Sequence, residues 1–170
     1  MLITQKIGHI STTHYGSKAI DTFPLEWHET GKRIMHKRTS FGRELQLRFL
    51  NENQTLCQGD ILFEDAATLI MVEILPCDTI ILVPESMHEM ALICYEIGNK
   101  HLPLFYEDGK LLIPYEAPIY NMLKASGFNP QRETRQLLNR LRTSVASHNH
   151  NGSQGESLFS KILKLTTTND

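Results

Sequence analysis

DTIILVPESMHEMALICYEIGNKHLPLFYEDGKLLIPYEAPIYNMLKASG, residues 78–127, is the stretch that decides the fold. It opens with a β-branched run over 78–84, the mark of a short buried strand. From Glu85 the period changes. Met87, Met90, Ala91, Cys94 and Ile97 recur at helical spacing and form one apolar stripe. Glu85 and Ser86 suit the start of that helix, and Gly98 stands where a left-handed terminating residue belongs. HLPLFYE (101–107) and KLLIPY (110–115) read as two strands joined by Asp108-Gly109, a strong hairpin signal. APIYNMLKASG (117–127) is a second amphipathic helix, closed by Gly127. A last extended segment is expected within 128–138, although ETRQLLNRLR (133–142) accommodates a helical turn or two equally well. Strand, helix, strand, strand, helix, strand is the ferredoxin-like βαββαβ order. Two helices then cover one face of a four-stranded sheet, and the other face or an edge is left for a neighbour.

Upstream the texture is all strand. GRELQLRFL (42–50) alternates, with Leu45, Leu47 and Phe49 on one side and Glu44, Gln46 and Arg48 on the other. The preceding GKRIMHKRTSFG is strand-like, and Ser40-Phe41-Gly42 makes a plausible hairpin loop. LCQGDILFEDAATLIMVEIL continues the pattern, with turns at Gly59-Asp60 and Asp65-Ala66. The fold class is therefore α+β. A small all-β domain spans 1–77, a ferredoxin-like domain 78–143 and a tail 144–170. The tail, rich in Ser, Asn, Gly and Gln, cannot bury enough apolar area to offset its ordering entropy and is expected to be flexible. Within it, SLFSKILKL (157–165) carries a small apolar face made of Leu158, Phe159, Ile162 and Leu163.

The totals exclude several function classes. With 17 basic and 19 acidic residues the chain has no basic field for phosphate backbones, so a nucleic-acid partner is disfavoured. The basic run Lys32 to Arg38 splits its charge if it is a strand, with Lys32 and Arg38 on one face and Arg33 and Lys37 on the other. A solvated surface is the expectation. No apolar run approaches the ~18–20 residues that span a bilayer, and MLITQKIGHIST does not read as a signal peptide. Cys57, Cys77 and Cys94 are far apart and form no CxxC pair, so reduced thiols in a cytoplasmic protein are the simplest reading. Phosphate-loop, GxGxxG, GxSxG and HExxH signatures are missing, and nothing invites an enzyme.

Histidines are the remaining chemistry. His9, His14, His28 and His36 are scattered through the β-rich part, and His88 falls on the polar side of the first helix. His101 differs because it is fixed at a helix-to-strand corner. His148 and His150 differ because they are paired two residues apart in the tail. One imidazole on a rigid body binds a transition-metal ion weakly. Two copies around a two-fold axis would bring two, and a tail histidine could complete the shell. Spacing alone leaves open whether His101 is such a ligand or a polar surface residue.

CYEIGNKHLPLFYEDGKLLIPYEAPIYNMLKASG resembles the C-terminal domain of the urease accessory protein E family, whose first helix ends in a Gly-Asn-Arg/Lys-His motif before a hydrophobic strand. EWHETGKRIMHKRTSFGRELQLRFL and QGDILFED resemble that family's β domain, so the likeness spans roughly residues 1–140. The resemblance implies a nickel metallochaperone and a homodimer joined through its ferredoxin-like domains. The motif histidine of each chain, here His101, would share one nickel ion, with zinc as a competitor. His148 or His150 would add ligands from the tail. The implied partners are the GTPase of urease maturation and the urease apoprotein. Two departures matter: Tyr115, Glu116 and Ala117 stand where several relatives have further histidines, and the tail offers His-Asn-His rather than a polyhistidine run. Delivery of about one ion per dimer fits better than storage. A metal-independent docking adaptor is the competing expectation, and an enzyme using His101 as general base ranks last.

Overall fold

The computed structural model describes residues 1–12, 15–50 and 55–141. The N-terminal half is two facing sheets. Strands β1 (Leu2–Ile3), β4 (Ile34–Arg38) and β5 (Glu44–Arg48) form one, in the order β1-β5-β4. β2 (Gly8–His9), β3 (Ala19–Leu25), β6 (Asp60–Glu64) and β7 (Thr68–Ile74) form the other, in the order β2-β6-β7-β3. The alternation in 42–50 settles which side is inward: Leu45, Leu47 and Phe49 are buried with Phe23, Leu25, Ile70, Val72 and Ile74. Pro24 is tolerated because β3 is an edge strand, where a missing N–H costs no ladder bond. Phe41 and Gly42 do form the hairpin loop, with Gly42 at φ +83°. Fully buried Asp21 holds that loop, accepting from Thr39 Oγ1 at 2.7 Å and from the Phe41 amide at 2.9 Å.

The C-terminal half is β8 (Cys77–Leu82), α1 (Met87–Asn99), β9 (Phe105–Glu107), β10 (Lys110–Pro114), α2 (Ala117–Ala125) and β11 (Gln131–Arg135). The sheet order β11-β8-β10-β9, with antiparallel neighbours, is the ferredoxin-like one. Asp108 and Gly109 both have positive φ, as a tight hairpin turn requires. Of the segment that could have been helical, Glu133–Arg135 belong to strand β11, and residues 136–141 form no helix. Ile80, Leu82, Leu111 and Ile113 face the helices and bury Ile93, Ile97 and Leu123. Each such side chain contributes about 1.5–3 kcal/mol of burial.

Three expectations about this half change. The buried side of α1 is centred on Ile93 and Ile97, flanked by Met90 and Cys94, whereas Met87 is 84% exposed and Ala91 is exposed. Gly98 stays inside the helix, and His101 is the residue with φ +53°. Residues 101–104 are not strand; β9 begins only at Phe105.

The face of the sheet away from the helices is covered from within the chain. Ile81, Phe105, Leu112 and Leu137 are buried there with Trp27 and Cys77 against them. A 3-10 turn, Trp27–Glu29, presents Trp27 edge-on to Phe105, with ring centroids 5.8 Å apart. Gln136 Nε2 donates to Ile74 O at 2.6 Å. After β11 the chain runs along the free edge of β9. Tyr106 N–H donates to Asn139 O at 3.0 Å, Leu141 N–H to Leu104 O at 2.8 Å, and Phe105 bridges Arg140. The last described residue, Leu141, is thus bonded to the loop that leads out of α1, three residues beyond His101.

Candidate metal centre

His101 is placed by the way α1 ends. Ser86 caps its start, accepting from the Glu89 amide at 3.1 Å. At the other end His101 N–H donates to Gly98 O at 3.0 Å and Leu102 N–H reaches back to Ile97 O at 3.4 Å. This pair of bonds is a Schellman stop with His101 in the left-handed position. Leu102 then packs in the same cluster as Ile97, the apolar contact that accompanies such a stop. Gly98 is not needed for the stop, because burying Ile97 carries the helix on to Asn99.

Glycine is the usual occupant of that left-handed position. A side chain there costs roughly 1 kcal/mol, although histidine tolerates it better than most residues. The His101 imidazole is exposed. Backbone strain is thus accepted for a group that adds nothing to the core, which is how functional positions are commonly built.

The other histidines separate cleanly. His9 is tied up, with Nε2 2.9 Å from Gln58 O and Nδ1 2.8 Å from Ser11 Oγ. Since a carbonyl only accepts, Nε2 carries the proton and Nδ1 is occupied by Ser11. His28 meets the Trp27 ring edge-on at 5.4 Å. His36 lies 3.9 Å from Glu44 on the outer face of the three-stranded sheet, and His88 is exposed on α1. His14, His148 and His150 lie outside the described residues. Among the described residues no group of three or more His, Cys, Asp or Glu side chains could hold a metal ion, so no described set within one chain completes a site around His101. The cysteines are free, and burial pushes the Cys77 and Cys94 thiols above their usual range, away from the thiolate form that binds metal.

The basic run is paired rather than focused. Lys37 and Lys32 both meet Glu29, at 2.6 and 3.2 Å, and Arg38 meets Glu44 at 2.6 Å. Lys32 precedes β4, so the expected sharing of a face with Arg38 does not hold. Burial pushes the Glu29 carboxyl up, but Lys37, the Glu26 amide and Lys32 outweigh it and bring its pKa down to about 2.

Sequence reasoning missed one feature next to the site. α1 also has an outward apolar side, with Met87 84%, Tyr95 67% and Leu92 45% exposed, and Val83 just before it 53% exposed. The signal was available: a helix with apolar residues on both sides is rarely a surface helix covered on one face only.

Residues 3–75 match the sequence profile of the UreE urease accessory protein N-terminal domain, and residues 76–157 that of its C-terminal domain. The urease accessory protein UreE of Flavobacterium johnsoniae is 38% identical over 165 residues, 97% of this chain and 99% of that protein. The chain belongs to the UreE urease accessory protein family. UreE of Actinobacillus pleuropneumoniae is 42% identical over 130 residues, 76% of this chain and 70% of that one. UreE of Acetivibrio thermocellus is 31% identical over 153 residues, 90% and 99% of the two chains. The family is one of urease accessory proteins. No helix among the described residues is long and apolar enough to cross a membrane.

Proposed function

We propose that this UreE-family protein is a cytoplasmic nickel chaperone of urease maturation that carries about one nickel ion between two copies of itself. The observation that carries the reading is His101, an exposed imidazole held in a left-handed helix stop where glycine would be less strained. His101 from each copy supplies two ligands. The outward side of α1, with Met87, Leu92 and Tyr95, offers the apolar surface for the second copy. His148 or His150 completes the shell. Six residues lie between Leu141 and His148, seven chain steps with a reach of up to about 24 Å, and Leu141 is bonded to the loop that follows His101.

Imidazole donors of this kind hold nickel without the grip of an all-thiolate site, and a tail ligand can leave one bond at a time. The cargo is then surrendered to the urease apoprotein, with the maturation GTPase as the other partner. Zinc competes for the same donors. Ligating imidazoles must be neutral, so nickel affinity falls as pH drops through the imidazole range.

Nickel calorimetry on the full chain and on His101→Ala, with mass checked in both, tests this. The expected result is about one tight nickel per dimer, weakened at least ~10-fold in the variant. Equal affinity in His101→Ala would remove the shared-histidine site. Stopping the chain after Thr143 should weaken binding and leave the dimer intact.

A further inference from the structure

The edge strand β9 carries an apolar patch on the side of the molecule where the described chain ends. Tyr106 is 43% exposed, Leu138 40% and Leu141 48%. Tyr106 and Leu138 line one shallow depression with Asn139, and Leu141 lies beside Leu104. The return segment 139–141 pairs with 104–106, so these side chains sit on backbone that is already fixed. Exposed apolar side chains grouped on rigid backbone mark a contact surface more often than scattered ones do.

The tail holds one extended apolar segment, Leu158, Phe159, Ile162, Leu163 and Leu165, within residues that are otherwise polar apart from Val145, Ala146 and glycines. We infer that residues 157–165 of the same chain dock on the Tyr106–Leu138–Leu141 patch. The occupant follows from where the described residues end and from the length of chain beyond them. Leu141 is part of the patch and lies three residues before the tail. Residues 142–157 form a Gly- and Ser-containing tether with a root-mean-square span of about 20–24 Å, enough to fold back on its own origin. A tether of that length gives millimolar effective concentration, so a weak apolar contact is occupied within one chain.

Docking closes residues 142–157 into a loop anchored at both ends. His148 and His150 lie in the middle of that loop, and its first anchor is bonded to Leu104, three residues after His101. The docked segment therefore holds the tail histidines close to the metal-binding corner before any ion arrives. This consequence rests on the nickel reading above; the docking itself does not.

Hydrogen exchange on the metal-free full chain tests it. Stopping the chain after Glu156, or combining Leu158→Asp with Phe159→Asp, should speed exchange at the Tyr106 and Leu141 amides about fivefold or more and leave β8 and β10 unchanged. Equal rates in both variants would overturn the docking. A benzophenone amino acid in place of Phe159 should then cross-link within one chain to residues 104–107 or 138–141. A product with the mass of two chains, or an adduct on α1, would also overturn it. Nickel calorimetry on the same proteins keeps the two readings apart. An uncovered patch with His101-dependent nickel binding intact removes only the docking. A covered patch without such binding removes only the nickel reading.

Discussion

Of the turns in this molecule that use the left-handed region, two do so for opposite reasons. Gly59, ahead of β6, has φ +83° and is closely packed. Its N–H donates to Val72 O, its carbonyl accepts from Ile10, and Asp60 locks the turn by accepting from the Cys57 amide at 2.7 Å. His101, after α1, has φ +53° with a full side chain that is exposed to solvent. At the first turn sequence, backbone and packing all agree. At the second the backbone asks for glycine, and the chain supplies an imidazole. That cost at an exposed corner is what motivates the proposal that His101 is held there for its chemistry.

The sharpest way to test the first half of the contrast is Gly59→Ala. A Cβ there would stand 2.8 Å from Ile10 Cγ2 and 3.1 Å from His9 Nε2, on a backbone that already disfavours any side chain. We expect a loss of about 2–4 kcal/mol in urea unfolding. A loss below ~0.5 kcal/mol would mean that the turn rearranges freely, and the contrast with His101 would fail.

Glu29 probes the same well-determined half through pH. Its carboxyl takes Lys37, Lys32 and the Glu26 amide, and it pins the 3-10 turn that sets Trp27 against Phe105. Because the folded pKa is lowered from 4.5 to about 2, its stabilisation is complete above pH 4.5 and lost as pH falls toward 2. Glu29→Gln should cost about 1–2 kcal/mol at pH 7, after allowing for solvent screening of the lysines. The two proteins should become equally stable near pH 2. A difference that persists at that pH would show that shape, not charge, holds the turn.

What the chain declares about itself follows the same division. The alternation of Leu45, Leu47 and Phe49, the Asp108-Gly109 turn and the Gly127 stop are local signals, and each holds in the structure. The face of α1 was misjudged because Met87, Ala91, Leu92 and Tyr95 make its outer side as apolar as its inner one. Periodicity cannot choose between two such stripes. The parallel pairing of β3 with β7, and the return of 139–141 along β9, join distant segments by backbone bonds that leave no mark in side-chain pattern. For the site, one position was legible and its context was not. His101 stands out at its corner, yet the left-handed backbone beneath it depends on Leu102 closing over Ile97. In the proposed nickel site its partner ligands come from the tail or from a second chain, neither of which periodicity can place.

The smallest expected effects lie at the helix stop itself, and they separate stability from chemistry. His101→Gly removes the side chain from a left-handed residue and should raise stability by about 0.5–1 kcal/mol while abolishing the imidazole's contribution to nickel binding. Gly98→Ala is the companion change. Gly98 is helical and exposed, and beyond its own helix no atom lies within 4 Å of the point where a methyl group would stand. Alanine there should stabilise α1 by up to about 0.5 kcal/mol. Had Gly98 been the terminating residue that its place in the sequence suggests, alanine would destabilise instead, and His101→Gly would do nothing. Thermal unfolding of the two variants beside the parent therefore reads which residue ends the helix. Only one sign pattern, both variants more stable and nickel lost in His101→Gly alone, keeps His101 as the residue whose backbone cost is offset by what its side chain does.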